Sequence, residues 1–260
     1  MAVYPEIKLG PLTQTMCKNA SWCHLDPFFP SNHVLADEIE RVLSFLENKG
    51  QFDRYLPVLR GKLTQRDGAI AEARVAFFFN RNGFSIISWE PPGEKNRLGE
   101  FEIIWPNTKP IFVEVKGPRW EGELNDEELH RARCKEQKYP NGETRFVQPV
   151  ERVIFEAEKA IPKFLPDKSN LLVVVGYLLF VPPSDLPKKI IMPQLISALS
   201  DERFSRIGGI MIFDIQYNNK SESIEYQTIF INNPKALPVC TIPLTVAQGL
   251  LSANKKAFWR

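Results

Sequence analysis

Glu114 and Lys116 stand two residues apart in IFVEVKG, an acid and an amine inside an otherwise apolar run. On an extended chain such residues project to the same side. Burying both charges is costly unless they have partners, which marks the pair as a candidate for chemistry. The segment before it, GEFEIIWPN, supplies Glu100 and Glu102, which also share one side. With a turn near residues 105–110 the two segments form a hairpin, and either Glu100 or Glu102 sits opposite Glu114, depending on a register shift of two. Facing carboxylates repel, and a divalent cation between them removes the repulsion; Mg²⁺ accepts carboxylate oxygens and water. A lysine beside that ion would orient a water or help deprotonate it, while the ion lowers the water's pKa and stabilises charge on a phosphate. Glu72, among alanines in AIAEARVAFFF, could reach the same pocket as a further ligand or as an outer partner of Lys116.

The elements that must hold these residues follow from periodicity. HVLADEIERVLSFLENKG repeats apolar residues at helical spacing behind Ser31 or Asn32, and Gly50 ends it. Residues 52–63 form a short helix expected to break near Pro57, and Asp67 precedes a stronger helix that Gly83 stops. A strand over 84–89 and the hairpin come next. PVERVIFEAEKAIPKF carries Pro149 in a first helical turn, and NLLVVVGYLLF is a continuous apolar run of the kind covered on both faces of a sheet. MPQLISALSD gives a short helix, GGIMIFDI another buried strand, SIEYQTIFIN a strand near an edge, and VAQGLLSANKKAFWR a last helix. The order over 67–180 is helix, strand, strand, strand, helix, strand, which predicts an α/β fold with a mixed sheet between helices. We divide the chain into an N-terminal extension at 1–66, a core at 67–180 with a charged insertion at 117–148, and a C-terminal extension at 181–260 that completes the sheet.

Composition narrows the classes. The chain has 260 residues, 43% of them hydrophobic and 25% charged, which are ordinary globular values. A net charge of +2 does not by itself call for a polyanionic partner, so a nucleic-acid site would need local clustering. The beginning lacks the layout of a signal peptide, and no stretch approaches the ~18 apolar residues of a membrane-spanning helix. A cytoplasmic protein is expected, with no membrane partner. The four cysteines do not form a disulfide pattern, and Cys17, Cys23 and His24 lack the second pair a zinc site requires.

Glu72 in AEARVAFFFNRNG, Glu100 in GEFEI, and Glu114 with Lys116 in VEVKG together resemble the PD-(D/E)xK nuclease superfamily, with its restriction-endonuclease-like αβββαβ core. The resemblance covers roughly 67–180. It implies a Mg²⁺-dependent nuclease, with Mn²⁺ able to substitute, that hydrolyses phosphodiester bonds, with DNA as the expected substrate. It implies that Glu100 and Glu114 are the metal ligands, Lys116 positions the attacking water, and Glu72 is the helix acid. The family usually has Asp where this chain has Glu100, which leaves Glu102 as the alternative ligand. Glu100 is favoured because the family's acid is typically followed by an apolar residue that begins the strand. Gln148 and Arg152 start the helix that in this fold often faces substrate, and Arg119 in the charged insertion is a candidate phosphate contact. Cutting both strands of a duplex commonly takes two sites, so a homodimer is an expectation.

Two other readings compete. The Glu-for-Asp departure and the near-neutral charge suit a nuclease-fold protein that binds nucleic acid or acts as a scaffold without cutting. A solvated strand face bearing a surface ion pair would also explain Glu114 and Lys116. The two histidines other than His24, at 33 and 130, have no triad or zinc spacing.

Overall fold

The computed structural model describes residues 9–17, 33–117, 127, 149–176, 192–218 and 223–253. Its helices are α1 (Pro11–Met16), α2 (His33–Asn48), α3 (Phe52–Leu59), α4 (Leu63–Arg81), α5 (Pro149–Ala160), α6 (Met192–Leu199) and α7 (Leu244–Ala253). The strands are β1 (Ser85–Trp89), β2 (Phe101–Ile104), β3 (Ile111–Lys116), β4 (Ser169–Gly176), β5 (Gly209–Asn218) and β6 (Ser223–Asn232). They form one mixed sheet in the order β1-β2-β3-β4-β5-β6. The pairs β3–β4 and β4–β5 are parallel and the rest antiparallel.

Helices cover both faces. On one, Val113, Val115, Leu171, Val173 and Phe213 pack with α2, α4 and α7. On the other, Phe112, Leu172, Val174 and Ile212 pack with α5 and α6. The three parallel strands at the centre are buried on both sides, which is why their sequences read as apolar runs. The edge strand β1 carries an irregularity between Ile86 and Ser88, a device that discourages further pairing. No described helix is long and apolar enough to cross a membrane.

Two boundaries differ from the sequence expectation. Helix α3 runs through Pro57 to Leu59 instead of breaking there. The backbone bond that Pro57 cannot make would go to the carbonyl of Asp53; both residues are exposed, so water can take its place. Helix α4 begins at Leu63, four residues before Asp67, with no side-chain cap. Arg66 holds that first turn by donating from Nε to the Leu59 carbonyl at 2.6 Å, a contact with α3 that leaves no local signal. The insertion expected over 117–148 lies almost wholly outside the described residues.

Candidate functional site

The hairpin register decides what faces Glu114. Phe101 pairs with Val113, Glu102 with Phe112 and Ile103 with Ile111. One step further places Glu100 across from Glu114, and the Glu100 amide donates to the Val113 carbonyl at 3.2 Å. Glu102 lies opposite Phe112 and forms an ion pair with Lys168. Gly99 makes this close approach possible: a Cβ there would fall 2.2 Å from the Phe112 ring.

Glu114 is fully buried, and its neighbour across β4 is Leu172. Its Oε1 accepts from Lys116 Nζ and lies 2.6 Å from Lys163 Nζ, while its Oε2 has no hydrogen-bond partner among the described residues. Lys163 closes the 3-10 turn Ile161–Lys163 after α5 and also lies 3.3 Å from Glu100 Oε1. Its ammonium therefore stands between the two facing carboxylates. The backbone of that turn passes close to the 90–99 loop, where a Cβ on Gly93 would sit 2.4 Å from the Lys163 carbonyl oxygen.

Glu72 approaches from α4. The layers meet where Gly117, directly after Lys116, passes Ala71; a Cβ on the glycine would be 3.2 Å from that of Ala71. Burial, then the charges of Glu100 and Glu114, push the Glu72 carboxyl up to about 8. Burial, then Glu114, push Glu100 up to about 7, with Lys163 and Lys116 opposing. Burial acts to lower the Lys163 ammonium, but Glu114 and Glu100 outweigh it and the net direction is upward. Burial raises the Tyr55 hydroxyl of α3 most, the charges of Glu72 and Glu100 raise it further, and its hydrogen bond to the Glu72 carboxyl opposes the rise of that acid. Tyr55 packs edge-on to Trp89 at 6.2 Å, and the Arg54 guanidinium lies 4.7 Å above the Tyr55 ring.

Glu72, Glu100, Glu114 and Lys116 are thus gathered in one place, contributed by α4, the residue before β2, and β3. Three carboxyls meet two ammonium groups, so negative charge is in surplus once all three acids are ionised. Among the described residues no three acidic, His or Cys side chains already converge as a ready metal cage. The donor set nonetheless suits a hard divalent cation: two carboxylates face each other, and one buried oxygen is unclaimed. Arg152 is mostly buried, with Nε 3.4 Å from Glu156 Oε1. Arg119 and Gln148 lie outside the described residues, as do Cys23 and His24, while Cys17 and Cys240 are free thiols. Sequence reasoning missed Lys163 and Tyr55. A lysine at a helix end is ordinary on dipole grounds alone, and nothing local in RYLPV points to a carboxylate cluster.

No protein-family model matches this chain, and no curated protein matches it. The solved structure of Pyrococcus furiosus SfsA in complex with Ca²⁺ is similar at 20% identity and a TM-score of 0.29, covering 65% of this chain and 64% of that one. The chain thus spans slightly less than two thirds of that protein.

Proposed function

We propose that this protein is a divalent-metal-dependent nuclease of the PD-(D/E)xK type that hydrolyses phosphodiester bonds, with DNA as its substrate. The observation that carries the reading is the unclaimed Oε2 of a fully buried Glu114, directly across from Glu100. A buried carboxylate oxygen without a donor costs stability, and such surplus charge concentrates at functional sites. Glu100 and Glu114 would hold Mg²⁺ or Mn²⁺, with Glu72 as an outer partner and Glu102 set apart by its pairing with Lys168. When bound, the ion would supply Lewis acidity, lowering the pKa of a water and offsetting phosphate charge. Lys116 donates to the attacking water and keeps it aimed at phosphorus. Hydrolysis then joins that oxygen to phosphorus and releases one ester oxygen, which takes a proton. Arg119, Gln148 and Arg152 are the proposed backbone contacts, and a homodimer would bring two such sites to a duplex.

The test is cleavage of plasmid and single-stranded DNA with Mg²⁺ or Mn²⁺ against a chelator control. Glu114→Ala and Lys116→Ala should each lower the rate by at least ~100-fold. Variants that cut like the parent would remove both roles. One observation favours the second reading, a nucleic-acid-binding or scaffold protein that does not cut: Lys163 stands between the two carboxylates, where an ion would sit. Calorimetry with Mn²⁺ separates the two, since a non-cutting protein satisfied by Lys163 takes up no ion in the millimolar range.

A further inference from the structure

Resting on the metal reading above, we propose that Lys163 is a resident counter-cation, occupying the space between Glu100 and Glu114 until a divalent ion displaces it. It therefore opposes metal binding. The ammonium reaches one oxygen on each acid, at 3.3 Å and 2.6 Å, and leaves Glu114 Oε2 unserved. It neutralises the pair without satisfying it. The backbone beneath is restricted by Pro162, closed by the Phe164 amide donating to the Ile161 carbonyl at 3.1 Å, and packed close to Gly93. The side chain is not fixed in this way. It is 24% exposed, on a flexible stem, with solvent to receive a strongly hydrated ammonium. Lys116 differs because it shares a strand with Glu114 and, among the described residues, pairs with that acid alone. Charge makes the same point: with all three acids ionised, three carboxylates against two ammonium groups leave the cluster net negative, and exchanging Lys163 for a divalent ion brings the count to zero.

The sign of the mutational effect is the test. Mn²⁺ is titrated calorimetrically into the full chain, its Lys163→Met, Lys163→Arg, Lys168→Met and Glu114→Gln variants, all after chelation. Lys163→Met should bind Mn²⁺ about tenfold more tightly, because a competing cation is gone. Lys163→Arg should bind more weakly than the parent, because a planar fork grips two carboxylates better than an ammonium does. Lys168→Met, which removes an equal charge from the Glu102 pair, should leave affinity unchanged. In chelator the Met variant should melt below the parent and recover with Mn²⁺. Equal or weaker binding by Lys163→Met, with parent binding that Glu114→Gln abolishes, overturns the counter-cation role and leaves the metal reading standing. If neither the parent nor Lys163→Met binds Mn²⁺, the metal reading itself falls. Should Lys163→Met not fold, the Arg variant still decides: unchanged or tighter binding there sinks the proposal.

Discussion

Helix α4 carries Glu72 and Arg74 two residues apart, and each enters a different buried charge cluster. Arg74 grips Glu38 of α2 through Nε at 3.0 and 3.2 Å and through a terminal nitrogen at 2.8 Å. The hydroxyl of Tyr226 on β6 donates to the same carboxylate. Burial, then the Glu38 charge, holds that hydroxyl well above its ordinary pKa, so it stays a donor. The Glu38 charge meets that of Arg74, with Arg81 a further positive charge near Tyr226, and both carboxylate oxygens are served. The other cluster has more acid than base, one orphan oxygen, and two carboxyls driven upward. Each is built on a fully buried carboxylate, Glu38 or Glu114, and both join distant parts of the chain. A buried carboxylate alone therefore does not separate the structural cluster from the candidate site; the balance of charge around it does.

Breaking the balanced cluster should have the largest effect. Arg74→Met leaves Glu38 charged and unpaired in the interior and should cost about 3–5 kcal/mol in urea unfolding. A loss under ~1 kcal/mol would mean that the cluster is not what ties α2 to α4. Gly99→Ala attacks the other side of the comparison through shape. Its Cβ would fall 2.2 Å from the Phe112 ring, so about 1–3 kcal/mol should be lost, and Mn²⁺ affinity should drop as Glu100 shifts. Unchanged melting and unchanged Mn²⁺ binding would show that Glu100 does not depend on that approach.

The surplus acid should also show as a pH dependence. Glu72 and Glu100 titrate at about 8 and about 7 in the fold, above the ordinary value of 4.5. Between those values the folded chain binds more protons than the unfolded one, so their contribution is greatest below 4.5 and is lost as pH rises towards about 8. Melts in chelator should fall with rising pH through this window. Glu72→Gln should flatten the upper part by a few degrees, since ~1 kcal/mol moves a chain of this size by about 2–4 °C. Parallel curves for the two proteins would assign the surplus elsewhere. The smallest effect belongs to the rim: Lys168→Met breaks the pair with Glu102 and should cost less than ~1 kcal/mol.

Much of the architecture was readable along the chain because its signals are local. The helix, strand, strand, strand, helix, strand order over Leu63–Gly176 follows from runs of apolar residues at two spacings. The end of α4 is marked by Gly83, at a φ of 88°, which few other residues would adopt. The beginning of α4 precedes Asp67 without a local signal, because Arg66 and Leu59, not a capping side chain, hold it.

The candidate site divides along the same line. Alternation at period two determines that Glu114 and Lys116 share a side with each other, and Glu100 with Glu102. These are properties of single strands, and the sequence alone decides them. Register decides that Glu100, and not Glu102, meets Glu114, and it depends on how Phe101, Ile103, Phe112 and Val113 bury against two different cores. Lys163, 63 residues after Glu100, and Tyr226, 188 after Glu38, enter only when the sheet and its helices close. An ion pair between distant residues leaves no periodic trace in sequence, because its energy depends on separation in space and on exclusion of water, and the packed fold sets both.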